Sequence, residues 1–128
     1  MKKDIPGVKI FAVKLQDNYT TIRGKKYKAL TLIEQSKKYK PFDLPLAGID
    51  LSRGCWDMTD LDDFIHHANR TKNADLNYPI ILDDCGAIAD GMHRICKAVI
   101  LGRKTIKAIR LEVMPVPDAI VESEETES

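Results

Sequence analysis

A glycine at position 91 joins a short run of strand-forming residues to a segment with helical periodicity. Ile88 and Ala89 precede the motif Asp90-Gly91-Met92-His93-Arg94. Beyond the motif, one helical face collects Ile95, Ala98, Val99 and Leu101. Glycine adopts backbone angles that other residues resist, so it permits a sharp bend at this point. The order predicts a strand that turns directly into an amphipathic helix.

The start of this helix has the chemistry of an anion site. The first amides of a helix lack partners within the helix, and the positive end of the macrodipole lies behind them. Gly91 leaves room for close approach, and Arg94 offers a guanidinium that can hold phosphate oxygens bidentately. His93 can donate a hydrogen bond or move a proton near neutral pH. We therefore predict that Asp90, Gly91, Met92, His93 and Arg94 hold a phosphate-bearing ligand.

A structural interpretation of the same residues remains open. Asp90 has the side chain of a helix cap, and its carboxylate would then occupy the amides assigned to phosphate. Arg94 has candidate partners within the chain in Asp83, Asp84 and Asp90. Spacing alone does not decide between ligand binding and capping.

The chain's size and composition are those of one soluble domain. It has 128 residues, of which 44% are hydrophobic and 30% charged. No apolar run approaches the roughly 20 residues that cross a bilayer, and the first residues lack the apolar stretch of a secretory signal. A cytoplasmic protein without a membrane partner is expected. Cys55, Cys85 and Cys96 lack the spacing of a disulfide framework or a zinc site.

Charge is concentrated at the N-terminal end. Residues 1–40 contain 11 lysines and arginines against 3 acidic residues. A surface of this kind could meet an anionic partner such as a nucleic acid. A solvated lysine-rich face explains the same pattern, because few aromatic residues interleave with the lysines.

Periodicity and turn residues predict an α/β or α+β single domain with a small sheet. We divide the chain into an N-terminal extension (1–41), a core (42–116) and a disordered acidic tail (117–128). The predicted elements are a strand at 8–15, a hairpin at 19–30, helices at 32–39 and 60–71, strands at 46–51, 78–82, 87–89 and 105–114, and a turn at 83–86.

The sequence makes a specific prediction for each of these two helices. Thr31 and Glu34 stand at capping-box spacing, which places the start of the first helix after Thr31. In the second helix the i, i+3, i+4, i+7 pattern predicts a buried face. That face consists of Leu61, Phe64, Ile65 and Ala68.

An ordered set of residues resembles the signature of the ParB/sulfiredoxin-like superfamily over about residues 44–114. The set comprises Pro79-Ile80-Ile81-Leu82, Gly86, the segment from Ile88 to Arg94, Lys97-Ala98 and Leu101-Gly102. The resemblance implies a single α+β domain with a small mixed sheet flanked by helices, and a phosphate-binding helix start. In this superfamily partition proteins bind CTP, sulfiredoxins bind ATP and archaeal free-serine kinases use ADP. A nucleotide with Mg²⁺ is therefore the expected cofactor.

Departures from the signature narrow the function. Met92 stands where sulfiredoxins have their nucleophilic cysteine, and a thioether cannot attack a phosphoryl group. Partition proteins carry Gly-Glu-Arg-Arg at the bend and a helix-turn-helix domain after it, for which only a short segment remains here beyond Met114. The free-serine kinases share Asp-Gly-x-His-Arg most closely, but they are longer chains.

Candidates outside the motif are fewer. The superfamily topology implies that Asp50, at the end of the predicted strand 46–51, lies near the bend as a base or magnesium ligand, with His93 as a second catalytic residue. His66 and His67 are adjacent, so they do not form an i, i+4 metal pair, and no metal site is predicted. Trp56 could stack on a base or anchor the core.

The sequence thus favours a nucleotide- or phosphate-binding domain, with phosphoryl transfer or NTP hydrolysis as the reactions that such a site would serve. A non-catalytic module that associates with DNA or protein is the alternative. A ParB-like nuclease is the third hypothesis, although the sequence shows no carboxylate cluster of the two-metal kind.

Overall fold

The structure is a computed structural model that describes residues 19–52 and 56–121. The predicted strand 8–15, Cys55 and the acidic residues 122–128 lie outside the described residues. The described elements, in chain order, are β1 (Tyr19–Ile22), β2 (Lys25–Lys28), α1 (Ala29–Ser36), β3 (Phe42–Pro45), a 3-10 turn (Leu46–Gly48), α2 (Leu61–Lys72), β4 (Ile80–Leu82), β5 (Ile88–Asp90), α3 (Met92–Ile100), β6 (Thr105–Arg110) and β7 (Ala119–Ile120).

These elements form two small sheets, which confirms the predicted α+β class. One sheet has the strand order β1-β2-β7 and is antiparallel. The other has the order β3-β6-β4-β5 and is mixed, since β4 runs parallel to β6 and antiparallel to β5. A hydrogen bond of 3.0 Å from the Thr20 hydroxyl to the carbonyl of Ala89 links β1 to β5. The two sheets therefore meet beside the strand that leads to Gly91.

Aliphatic side chains fill two buried clusters. One joins Ile22, Tyr27 and Leu32 of the first hairpin and helix to Ile81, Ala89, Ile109 and Leu111. The other lies under α3 and contains Leu46, Ile80, Leu82, Ile95, Ala98, Ile106 and Ala108. Because the first cluster contains residues from both the predicted extension and the predicted core, these two segments pack together.

Several predicted elements are confirmed. The hairpin is present, with Arg23 and Gly24 in its turn at φ values of 50° and 80°. The third helix begins directly after Gly91, as the sequence predicts, and buries Ile95 and Ala98. Val99 and Leu101, the other members of the predicted buried stripe, are exposed. The aspartates of the turn at 83–86 behave as turn residues, since Asp83 Oδ1 accepts from the amides of Cys85 (2.8 Å) and Ala87 (2.9 Å).

Other predictions are wrong. The first helix begins at Ala29, because the Thr31 hydroxyl donates to Asp118 at 3.1 Å instead of capping the helix. Residues 46–51 are not a strand, since β3 ends at Pro45 and a 3-10 turn follows. The last long strand ends at Arg110, four residues early. The structure also differs in the segment assigned to the tail, where β7 pairs with β2.

The predicted buried face of α2 is also wrong. Leu61 is 71% exposed and Phe64 is 56% exposed, and no residue of α2 is fully buried. The helix begins as a reciprocal cap: Asp60 accepts from the amide of Asp63 at 2.8 Å, and Asp63 accepts from the amide of Thr59 at 3.1 Å. The face of α2 that is directed towards α3 carries polar side chains instead.

Candidate functional site

The bend at Gly91 brings the start of α3 against β4. Gly91 has φ 118°, in the left-handed region, and a Cβ at this position would lie 2.5 Å from Cγ2 of Ile80. Both the backbone angle and the close approach require glycine. The sequence feature that predicts the bend therefore also places the first turn of α3 directly beside the buried strand.

The first turn of α3 has no side-chain cap. Gly91 is the residue before the helix, and no side chain of the described residues accepts from the amides of the first turn. Asp90, the predicted alternative cap, instead accepts a hydrogen bond from Arg94. The donors at residues 92–94 are thus left to solvent or to a ligand. Residues Gly91, Met92, His93 and Arg94 line a cleft of about 660 Å³.

Arg94 is held by the chain. Its Nη2 donates to Asp90 Oδ2 at 2.7 Å, and its Nη1 donates to the carbonyls of Pro79 (2.8 Å) and Tyr78 (3.2 Å). Its side chain is only 18% exposed. This geometry matches the alternative in which Arg94 pairs with Asp90, and the guanidinium keeps little capacity to hold a phosphate bidentately.

A different arginine, Arg70, lines the cleft without a partner among the described residues. Arg70 lies in the last turn of α2 and lines the same cleft as Gly91 and Met92. Its side chain makes no hydrogen bond or ion pair with another described residue, and its charge lowers the pKa of both His67 and His93. Arg70 was not among the predicted site residues, because the sequence predicted that the face of α2 with Leu61 and Phe64 is buried.

Two histidines from different helices form a hydrogen-bonded pair beside this arginine. His67 Nδ1 of α2 lies 3.0 Å from His93 Nε2 of α3. The rings are nearly parallel, with centroids 5.2 Å apart and planes 13° apart. The indole of Trp56 lies over both rings, with a centroid distance of 4.3 Å to each. Trp56 therefore packs on the histidine pair. This contact does not fully match either predicted role, which was to stack on a base or to anchor the core.

Both imidazoles are neutral at neutral pH. Burial lowers the pKa of His93 to about 4, with further lowering from the positive charge of Arg70 and from the neighbouring His67, His66 and Arg94. The pKa of His67 is also lowered, chiefly by burial, and Asp63 opposes this shift. His93 can thus offer one hydrogen bond to a ligand, but it is a poor general acid or base near pH 7.

Asp50 lies away from the cleft. Its side chain is exposed and its Oδ1 accepts from the amide (3.0 Å) and the hydroxyl (2.6 Å) of Ser52, which is the geometry of a turn. Asp50 is not among the residues that line the cleft. The structure does not bring together Asp50 and His93, the two predicted catalytic residues.

Within residues 19–52 and 56–121, one group of side chains has metal-ligand spacing, and it lies on the turn outside the cleft. It consists of Asp83, Asp84 and Cys85. Arg23 forms ion pairs with both aspartates, so their charge is already matched within the chain. The lining of the cleft instead carries two arginines, Arg70 and Arg94, and two carboxylates, Asp75 and Asp90, together with aromatic rings.

No protein-family model, curated protein or solved structure matches this chain. Among the described helices, none has the length and apolar composition needed to cross a membrane.

Proposed function

We propose that this protein binds a phosphate-bearing small molecule, a nucleotide, in the cleft between α2 and α3. The observation that carries the proposal is the convergence of two kinds of donor on one cleft. The uncapped first turn of α3 presents backbone amides, and Arg70 presents a guanidinium without a partner among the described residues. Amides at a helix start suit a bound phosphate, and the guanidinium of arginine matches phosphate geometry.

The dimensions and lining of the cleft fit a nucleotide. Its volume of about 660 Å³ is within the range of small-molecule sites, roughly 300–1,000 Å³. Tyr19, Trp56 and Tyr78 contribute aromatic rings to its lining, on which a base could stack. The resemblance of the segment around Gly91 to the ParB/sulfiredoxin-like superfamily supports the same class of ligand.

The proposal concerns binding rather than catalysis. Phosphoryl transfer or NTP hydrolysis needs a base or a metal ligand beside the phosphates. His93 is neutral with a low pKa, and Asp50 is outside the cleft. A carboxylate is nonetheless present on the lining, since Asp75 also faces the cleft. If the protein released a reaction product from a bound nucleotide, the proposal would extend from binding to enzymatic activity.

Thermal shifts test the proposal. The melting temperature is measured with ATP, ADP, CTP and GTP, each with and without Mg²⁺, for the wild-type protein and for Arg70→Gln. Because a charge-assisted hydrogen bond contributes roughly 1.5–3 kcal/mol, Arg70→Gln is expected to weaken nucleotide binding about 10- to 100-fold. The ligand-dependent shift should fall accordingly.

Arg103→Gln is the matched control. Arg103 is exposed, its side chain has no hydrogen bond to a described residue, and it does not line the cleft. Its substitution changes net charge equally but should leave the nucleotide shift intact. Equal loss in both variants would show that general charge, not the cleft, attracts the nucleotide. If no nucleotide stabilises the protein but DNA binds with a steep salt dependence, the DNA-associated alternative replaces the proposal.

A further inference from the structure

The hydrogen bond between His67 and His93 is compatible with one proton added to the neutral pair, but not with two. In the neutral pair one ring nitrogen donates and the other accepts, and the 3.0 Å separation is that of an ordinary N–H···N bond. A first added proton leaves this bond intact, because an imidazolium can donate to the neutral ring. A second added proton would set two N–H groups against each other. The pair is therefore built to hold a charge of zero or one.

Without a bound anion, the charged groups around the pair disfavour addition of the first proton. Arg70 and His66 on α2 and Arg94 on α3 all act on His93 in the direction that disfavours a positive charge. Asp63 on α2 acts on His67 in the opposite direction, while Asp75 and Asp90 are the carboxylates on the lining of the cleft. Trp56, which covers both rings, restricts their contact with water. An anion beside Arg70 would offset the arginine's charge and favour protonation.

We propose that an anionic ligand enters the cleft together with one proton, which the hydrogen-bonded pair of His67 and His93 takes up. This inference rests on the proposed function and specifies its regulation. The proton comes from solvent and no covalent bond of the ligand changes. By linkage, the affinity for the anion rises as the pH falls, because the bound state holds more protons than the free state.

The cleft would thereby prefer its ligand under mildly acidic conditions. The window lies between the pKa of the pair in the bound protein and its lower value in the free protein, where burial lowers the pKa of both rings. Within this window one proton per ligand corresponds to about a tenfold change in affinity for each pH unit. A metal ion would have the opposite effect to an anion, because it would disfavour protonation of the pair. Arg70 and Arg94 would repel the metal ion as they repel the proton.

Sulfate is the probe, because it stays a dianion throughout the range and its own titration cannot produce the effect. Its dissociation constant is measured between about pH 5 and pH 8, while NMR follows the ring protons of His67 and His93. In the wild-type protein we expect affinity to increase as pH falls, by up to about tenfold per unit, and sulfate to raise the titration midpoint of the pair.

Two variants separate the pair from other groups that titrate. The double variant His67→Gln/His93→Gln keeps polar side chains on the cleft but removes both imidazoles of the pair, so the pH dependence of whatever binding remains should be lost. His66→Gln removes a neighbouring imidazole that does not hydrogen-bond to the pair, and it should keep the dependence. If the double variant retains the full slope, Asp75, Asp90 or the rest of the surface takes up the proton, and the inference is wrong.

Failure of this inference is distinguishable from failure of the proposed function. Sulfate binding that is equally strong at every pH overturns the proton uptake alone. Absence of sulfate binding at every pH overturns the inference too, and the nucleotide thermal shifts then decide separately whether the proposed function falls with it.

Discussion

Arg94 and Asp90 form an ion pair across one turn at the start of α3, with Nη2 and Oδ2 2.7 Å apart. Both side chains are less than one-fifth exposed. The same guanidinium donates to two carbonyls in the chain segment before β4. Arg94 thus ties the bend at Gly91 to the strand beside it, which is a structural role, whereas Arg70 lines the cleft and has no partner among residues 19–52 and 56–121.

Substitution of Arg94 should therefore lower stability more than it alters ligand contacts. Arg94→Met removes three hydrogen bonds and leaves Asp90 without its partner, so we expect a loss of roughly 1–3 kcal/mol in the free energy of unfolding. Urea denaturation measures the loss. Arg103→Met is the control, and it should stay within about 0.5 kcal/mol of the wild-type protein. Wild-type stability in Arg94→Met would contradict the structural role.

Gly91 and Gly24 offer a matched test of the close approach at the bend. Both have positive φ, 118° and 80°, but a Cβ at Gly24 has no atom within 4 Å, whereas a Cβ at Gly91 would clash with Ile80. Gly24→Ala should cost about 1–2 kcal/mol from the backbone alone. Gly91→Ala should cost more, because the clash is added. Equal losses in urea denaturation would show that α3 shifts freely away from β4.

The bend was predictable from sequence, because a glycine followed by an apolar stripe is a local signal. The position of α3 follows from Ile95 and Ala98, which are buried as their spacing predicts. Asp90 was also accessible as one of three candidate partners for Arg94, since the two residues are four positions apart. In each case the information lies within one turn of helix.

The polar part of the site was not predictable in this way. The spacing of Leu61 and Phe64 indicates which helical face is apolar, but it does not show whether anything packs on that face. In the structure α2 turns His67 and Arg70 towards the cleft instead. The contact between His67 and His93 joins residues 26 positions apart, and no local pattern marks it.

The exposed stripe of α2 gives a direct check of this orientation. Leu61→Gln should change the free energy of unfolding by less than about 0.5 kcal/mol, because the side chain is 71% exposed. Ile95→Ala, at a position that is 3% exposed, should cost about 2–5 kcal/mol. Both are measured by urea denaturation. A large loss from Leu61→Gln would mean that this face is covered in solution.

Stability without ligand should decrease as the medium becomes acidic, in the window set by His93. The folded-state pKa of about 4 lies below the ordinary value of 6.5. The unfolded chain therefore binds a proton first, so the contribution of His93 is fully present above about pH 6.5 and is lost as the pH falls towards 4. Because His93 is partly exposed, solvent screening reduces this contribution to on the order of 1–2 kcal/mol.

Urea denaturation at about pH 7 and pH 5 measures this difference. His93→Gln should lose the pH-dependent part, while His66→Gln should retain most of it. Sulfate at pH 5 should restore part of the stability of the wild-type protein, because the bound anion favours the protonated pair that acid produces. A wild-type protein equally stable at both pH values would mean that His93 is solvated, and that Trp56 does not cover the pair in solution.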